Sequence, residues 1–441
     1  FQGSRGLGDV YKRQVLILVI ASCNEEDYVR ESRASPQAVC IDGVALDQIT
    51  GITYSCKNYD LMSRISLVEL NADAGNDCWG WTDSSTGREY AIMGVNNGTV
   101  FVDITDPVNP FYLGKLPTAT IDSSWRDLKV YNDYAFIVSE AEGHGLQVFD
   151  LSKLRGVQSK RIFSADYLYY GYGHAHNIGI NEKTGFAYTA GSGSSKNPVG
   201  IHALNINNPL KPKLELSLDE IGYSHDVQVV IYDGPDLDYV GREIYIGSNE
   251  NKVVFVDVTE KTNPKIISSF FYDHQYTHQS WLTEDHKYLL MGDELDELDS
   301  SFQSLVNKTR TIIIDVTDLD NPVRHFNYIS ETDAIDHNGY VVGSKFFLAS
   351  YTAGLRILDI SNISNKQINE IGFFDTHNEQ NSPGLSKISN TKQQDPGGDH
   401  SGRKGNIKAF NGAWSVYPFF ESGNVIISDI NSGLFVVKRK N

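Results

Sequence analysis

Methionine is scarce in this chain, and basic side chains are outnumbered by acidic ones. Its 441 residues carry 38 Lys and Arg against 56 Asp and Glu, a formal net charge of −18. With a sequence pI near 5.1, no basic face for phosphates is expected, which argues against nucleic acid as a partner. Only 3 Met stand beside 24 Tyr and 38 Gly, a balance that points to strands and turns rather than packed helices. No apolar run reaches the roughly 20 residues a membrane-crossing helix needs. A Gly-rich phosphate loop, a G-x-S-x-G elbow and an H-E-x-x-H helix are all missing, so the common nucleotide, serine-hydrolase and metalloprotease motifs are absent. What is present is 40% apolar residues and 21% charged, enough apolar content for a large core and too much for a disordered chain.

The first residues are not fold material. Ser4 to Gln14 read SRGLGDVYKRQ, which looks like an in-frame translation of a sequencing-library adapter, so residues 1–14 are set aside as a non-native scar. Residues 15–23, VLILVIASC, are too short to span a bilayer and read as the tail of a truncated lipoprotein signal peptide. Ile20-Ala21-Ser22-Cys23 resembles a bacterial lipobox: small residues give the peptidase access to the backbone, and acyl chains on Cys23 supply membrane affinity. An ordinary secretory signal with a chance cysteine is the alternative. Residues 24–37 form an acidic tether. The expectation is a protein held by lipid at the bacterial outer membrane or cell surface, with the periplasmic face also open. In that oxidising setting Cys40 and Cys56 are expected to pair and staple an arm over residues 38–60. Cys78, between apolar and tryptophan neighbours, reads as a buried thiol.

One pattern recurs through the rest: Gly, alternating apolar residues, then Asp or Asn five positions on. Copies start at Gly98, Gly145, Gly200 and Gly354, at Lys252 and Arg310 without the Gly, and at Gly433 without the Asp. Pro110, Pro212, Pro264 and Pro322 each fall seven residues after the Asp or Asn. Strand, polar turn, Pro, outer strand is the physical reading. A period of about 50 residues with four strands per unit predicts an all-β, seven-bladed β-propeller over 61–440. The last unit runs out of chain after three strands, so the arm Leu61 to Leu70 is expected to close the last blade. An insertion at about 376–408, rich in Asn, Gln, Ser and Gly, reads as a mobile surface loop.

The segments WRDLKVY (125–131), FIVSEAEGHGLQVFDL (136–151), HAHNIGIN (174–181), SHDVQVVIYDGPD (224–236), THQSWLTEDH (277–286), AIDHNGYVV (334–342), GLRILDIS (354–361) and GAWSVYP (412–418) resemble the choice-of-anchor B family, built on LVIVD repeats. The resemblance covers about residues 38–439. It implies an extracytoplasmic propeller whose members reach the surface by different anchors. This chain departs from many members in ending at its last strand, and the lipobox at Cys23 would take the place of a C-terminal sorting tail. The resemblance implies no particular activity.

Propellers line a central channel with their innermost strands, so the starts of those strands should form a ring. The expected ring is Trp79, Arg126, His176, His225, His278, His337 and Trp414, followed by Asp127, Asn177, Asp226, Gln279 and Asn338. The second strands end at Glu140, Glu250, Glu294 and Asp429, which antiparallel pairing brings beside the ring. Three readings stay open. The first is a solvated, hydrogen-bonded mouth. The second is a site for one divalent metal (zinc, manganese, iron or calcium) on His176, His225, His278 and His337, with Glu250 or Glu294 completing it. The third is a metal-free pocket for an anionic or sugar-like ligand, anchored by Arg126 and walled by Trp79 and Trp414, with Asp127, Glu140 and Asp429 as polar contacts. As function, these give a ligand-binding or interaction module for an extracellular small molecule, glycan or protein. They also allow a metal-dependent hydrolase or lyase, with Glu250 or Glu294 as general base and Arg126 fixing the substrate, or a surface scaffold without ligand. Apart from the ring, Asp293-Glu294-Leu295-Asp296-Glu297-Leu298-Asp299 reads as an acidic solvated loop, with Ca²⁺ as the alternative.

Overall fold

The repeat glycine and the repeat aspartate each solve a local problem. In the computed structural model, which describes residues 38–194, 197–298, 308–377 and 410–440, the glycine opens the third strand of a sheet. Gly145, Gly354 and Gly433 adopt φ of +63°, +69° and +97°, and a Cβ there would lie 2.1–2.3 Å from the carbonyl oxygens of Tyr169, Phe374 and Ile65. The fourth strand's backbone occupies the space a side chain would need, so only glycine fits. At the other end of the third strand the carboxylate accepts from the backbone N–H two residues on: Asp150 from Ser152 at 2.9 Å, Asp257 from Thr259 at 2.9 Å, Asp315 from Thr317 at 3.0 Å and Asp359 from Ser361 at 2.9 Å. This Asx turn redirects the chain. Pro110, Pro212, Pro264 and Pro322 then stand one residue ahead of the outer strands Phe111–Pro117, Lys213–Leu218, Lys265–Phe270 and Val323–Ile329, at the edge where a missing N–H costs nothing.

These units give an all-β propeller. Six blades each hold four antiparallel strands in chain order, and the short strand Arg161–Ile162 adds to the outer edge of the first in parallel with Phe111–Pro117. Their inner strands are Gly75–Asp83, Arg126–Tyr131, Asn177–Asn181, Asp226–Ile231, Thr277–Leu282 and Gly339–Val342. The repeat count predicts seven units, and here the structure differs: the last repeat makes no blade of its own. Its three strands, Ala413–Tyr417, Asn424–Asp429 and Gly433–Arg439, share a sheet with Tyr59–Ile65 from the other end of the chain. That N-terminal strand is shorter than the expected Leu61 to Leu70. Ser66 caps a single helical turn, Leu67–Leu70, with Glu69 completing a capping box, so the chain leaves the sheet at Ile65. The composite sheet packs on both sides. Ile426, Leu434 and Val436 share a cluster with Met93, Val100 and Val102 of the first blade, while Val416, Phe435 and Val437 share one with Phe347, Leu355 and Ile357 of the sixth.

The arm is a small sheet of its own. Cys40–Ile41, Val44–Leu46 and Thr53–Lys57 extend the sixth blade through Phe373↔Lys57 and Phe374↔Cys56. The expected Cys40–Cys56 disulfide is present and ties its first strand to its third. Cys78 is a buried free thiol, as its neighbours predict. The scar, the signal segment with Cys23, the acidic tether and all but the first two residues of the 376–408 insertion lie outside the described residues.

Candidate functional site at the channel mouth

Closure brings the histidines together. His176, His225 and His337 directly precede or flank the starts of three inner strands, and His278 is the second residue of a fourth. Their ring centroids follow one another at 4.0 Å (His176–His225), 4.4 Å (His225–His278) and 4.1 Å (His278–His337), and Trp414 continues the row 4.7 Å from His337. They line a narrow cavity of about 20 Å³ whose wall also includes Trp125, Asp77, Asp127, Asn177, Asp226 and Asn338. Side chains spread over 160 residues of sequence thus share one wall.

Hydrogen bonds fix most of the imidazoles. His225 Nδ1 lies 3.2 Å from the His278 carbonyl oxygen, and His337 Nδ1 lies 2.5 Å from that of Trp414. A carbonyl only accepts, so Nδ1 donates in both and Nε2 carries the lone pair in the neutral ring. His176 Nδ1 meets Glu140 Oε1 at 2.5 Å. His278 differs: it is 2% exposed and neither ring nitrogen has a hydrogen-bond partner. Its Nε2 stands 3.8 Å from Glu294 Oε2, and His337 Nε2 stands 3.9 Å from Glu294 Oε1. Tyr351 donates to that same Oε1 at 2.8 Å and orients the carboxylate. Burial and the neighbouring imidazoles hold His278 well below the usual histidine range, and burial takes His337 down to about 3. Burial pushes Glu294 up to about 7 despite the Tyr351 bond. The mouth therefore presents two neutral imidazoles, His278 and His337, beside a carboxyl group poised near neutrality.

Below the imidazoles lies a second polar layer. Lys129 Nζ bonds Asp127 Oδ1 at 2.7 Å, sits 3.3 Å from Asp77 Oδ2, and covers the Trp79 ring at 4.7 Å. Asn177 donates to Asp226 Oδ2 at 2.8 Å, and Asn338 donates to Asp77 Oδ1 at 3.2 Å. Three buried carboxylates thus surround one ammonium. Burial would raise all three. Lys129 overcomes it at Asp77, which is held low, while Asp127 stays well above its usual value and Asp226 rises to about 7.

Several expected site residues sit elsewhere. Trp79 does not line the cavity; it packs on Tyr340, Tyr417 and Phe419. A bulge between Gly75 and Cys78 shifts the register, so Asp77 takes the ring position. The polar pair Asn76-Asp77, matching Arg126-Asp127 and His225-Asp226, was the signal in the sequence for it. Arg126 reaches the cavity wall, but its guanidinium is consumed by Val95 O, His144 Nε2 and Thr118 Oγ1, at 3.2, 2.9 and 2.9 Å, and is unsuited to anchor a substrate. Asp429 caps a turn by accepting from the N–H groups of Asn431 and Ser432. Glu250 bridges to Thr277 with φ +56° and takes a hydrogen bond from Tyr276, away from the cavity wall. Asp127 and Trp414 line the cavity, and Glu140 and Glu294 stand beside His176 and His278. Trp125, Tyr351 and Lys129 were not foreseen.

The acidic loop after the fifth blade's second strand is not solvated. Asp293 is fully buried and accepts from Tyr276 N, Gln275 N and Tyr272 Oη at 2.7, 2.8 and 2.9 Å. Asp296 pairs with Arg310. The loop is thus a turn held from inside. Asp236, Asp318 and Asp320 also approach one another, but at the surface, and each caps a turn or takes a tyrosine hydroxyl.

The fold is an all-β propeller, and four histidines follow one another along one cavity wall. Two stretches, residues 239–271 and 341–376, match the family model described as the LVIVD repeat, within a chain whose fold is a β-propeller. No curated protein matches it. Among solved structures, the β-propeller domain of Cps50 (Swd1) from Myceliophteria thermophila is similar at 9% identity and a TM-score of 0.49, over 79% of this chain and 93% of that one. A Bacteroides fragilis protein provisionally assigned as a 6-phosphogluconolactonase is similar at 12% identity and a TM-score of 0.49, over 74% of this chain and 88% of that one.

Proposed function

We propose that this protein is an extracytoplasmic binding module, held to the membrane by lipid on Cys23, whose working surface is the channel mouth. The composite sheet is taken as the seventh blade that closes the ring, and the choice-of-anchor B family as the wider kinship. The observation that carries the reading is the row of four touching imidazoles on one cavity wall, ending on Trp414. Stability alone does not call for three buried imidazoles and a half-buried fourth side by side, because each costs desolvation. The cavity, about 20 Å³, has room for a water or a single ion, so a larger ligand would engage the mouth at its rim. Trp125 and Trp414 supply stacking faces, and the imidazoles supply directional hydrogen bonds. The ligand class this favours is the terminal unit of an extracellular glycan or a small polar molecule.

The test is a glycan array probed with the full chain and with the Trp414→Ala and His225→Ala variants. Capture of defined glycans by the wild type, lost in both variants while their thermal melting stays cooperative, supports the reading. Capture that both variants retain moves the binding surface elsewhere and overturns it.

A further inference from the structure

We infer that the channel mouth holds one divalent transition-metal ion, ligated by His278, His337 and Glu294, with a coordination position left open towards the cavity. The inference rests on the mouth being the working site and names what occupies it.

Three observations carry it. The first is spacing. One ligand atom from each of the three residues lies within 4.8 Å of the other two, and the carboxylate oxygens stand 3.8 and 3.9 Å from the two imidazole nitrogens. Ligand atoms on a tetrahedral ion with bonds near 2.0 Å are about 3.3 Å apart, so shifts of up to about 1.5 Å complete the site. The second is His278, 2% exposed with both nitrogens unpartnered. Native structures rarely leave a buried polar ring unsatisfied, and such a group marks a missing partner. The third is orientation. His337 donates Nδ1–H to the Trp414 carbonyl, which leaves its Nε2 lone pair on the side of Glu294, and Tyr351 holds the Glu294 carboxylate. Metal-binding histidines and carboxylates are oriented by this kind of outer bond.

Ligand chemistry narrows the ion. Two imidazole nitrogens and one carboxylate oxygen suit zinc, iron(II) or manganese. Calcium, which takes six to eight oxygens, does not fit this donor set. Three protein ligands leave a position for water or a ligand group, the pattern of a working site rather than a structural clip.

The test uses the full chain, stripped with chelator and titrated with Co²⁺ alone, whose visible absorption reports nitrogen and oxygen ligation. About one equivalent should bind and give saturable visible bands. His278→Ala and His337→Ala should abolish the bands, Glu294→Gln should weaken binding at least tenfold, and His274→Ala, at an exposed histidine four residues before His278 and outside the cavity wall, should change nothing. Melting curves verify that each variant is folded, and His278→Gln replaces His278→Ala if the latter is not. No stoichiometric Co²⁺ in the folded wild type, or bands that survive both histidine variants, overturns the inference. Glycan capture by the stripped chain, lost in Trp414→Ala, would overturn the metal and leave the binding module standing. Co²⁺ bound as expected with no glycan captured would do the reverse.

Discussion

Arg126 donates from Nη1 to Nε2 of His144, 2.9 Å away, and both side chains are buried. His144 Nδ1 in turn donates to the Gly145 carbonyl at 3.1 Å, which fixes the tautomer that can accept from the guanidinium. The pair is a structural joint between the first two blades, because Arg126 also bonds Val95 O on the first. Burial, then the Arg126 charge, lowers His144 to about 4, against about 6.5 in an unfolded chain. Between those values the unfolded state binds the extra proton, so this contribution is complete above pH 6.5 and is lost as the pH falls towards 4. His144→Ala should cost about 2–3 kcal/mol at pH 8, since a buried charged donor loses its acceptor. It should also flatten the acid side of the stability profile between pH 6.5 and 4. Urea titrations across that range check both; an unchanged profile would show that His144 is not buried neutral.

That joint marks where reading the sequence stopped. The histidine ring was legible because propeller closure converts a repeating position along the chain into a circle in space, whatever the side chains do. Arg126 stood at that position too, but its direction depends on a rotamer that runs past Gly94, where a Cβ would sit 3.4 Å from its Cγ and Cδ. Trp79 was misplaced because a bulge adds residues without changing the apolar alternation. The repeat glycines and aspartates were legible as punctuation, while the reason for the glycine, a strand crossing 2 Å from its missing Cβ, needs the neighbouring chain. Asp293 looked solvated because its donors, Tyr272, Gln275 and Tyr276, come from the loop before the fifth blade's inner strand. The composite sheet was foreseen from a missing fourth strand, and its N-terminal partner only in part.

Closure by the N-terminal strand predicts a stability effect at its inward residues. Leu61 is 3% exposed and packs in the cluster that joins the composite sheet to the sixth blade. Leu61→Ala should cost about 2–5 kcal/mol, the range for removing a buried leucine side chain. Val68, 87% exposed on the following helical turn, is the control, and Val68→Ser should shift the urea midpoint negligibly. Equal midpoints for the two variants would mean that the N-terminal strand does not contribute to the core.

The Cys40–Cys56 disulfide closes a loop of 16 residues in the arm. Loop-entropy reasoning assigns such a bond about 3 kcal/mol. The arm's backbone pairs with the sixth blade at two register positions, Phe373↔Lys57 and Phe374↔Cys56, and the rest of its hold on the blades includes side-chain packing of Ala45, Tyr54 and Cys56 in the shared core. Reduction should release the arm ahead of the blades. Hydrogen exchange under reducing conditions should show faster exchange over residues 38–57 with little change in the inner strands. Uniform acceleration through the whole propeller would contradict a separable arm.

Asp226 gives the pH dependence of the channel. It is buried, accepts from Asn177, and is pushed up to about 7, chiefly by burial, with Lys129 opposing and Asp77 adding to the rise. An unfolded aspartate titrates near 3.9, so between about 4 and 7 the folded chain holds a proton that the unfolded chain has released. Stability from this residue is fully present below that window and falls as the pH rises through it. Asp226→Asn keeps an oxygen that can accept from Asn177 and removes the ionisation. It should stabilise the protein by roughly 2 to 4 kcal/mol at pH 8 and by almost nothing at pH 4. Melting temperatures of the variant and the wild type, compared at the two pH values, decide it. A variant less stable at pH 8 would mean that the Asp226 carboxylate is ionised in the folded channel and paired there, with Lys129 as the cation nearest to hand.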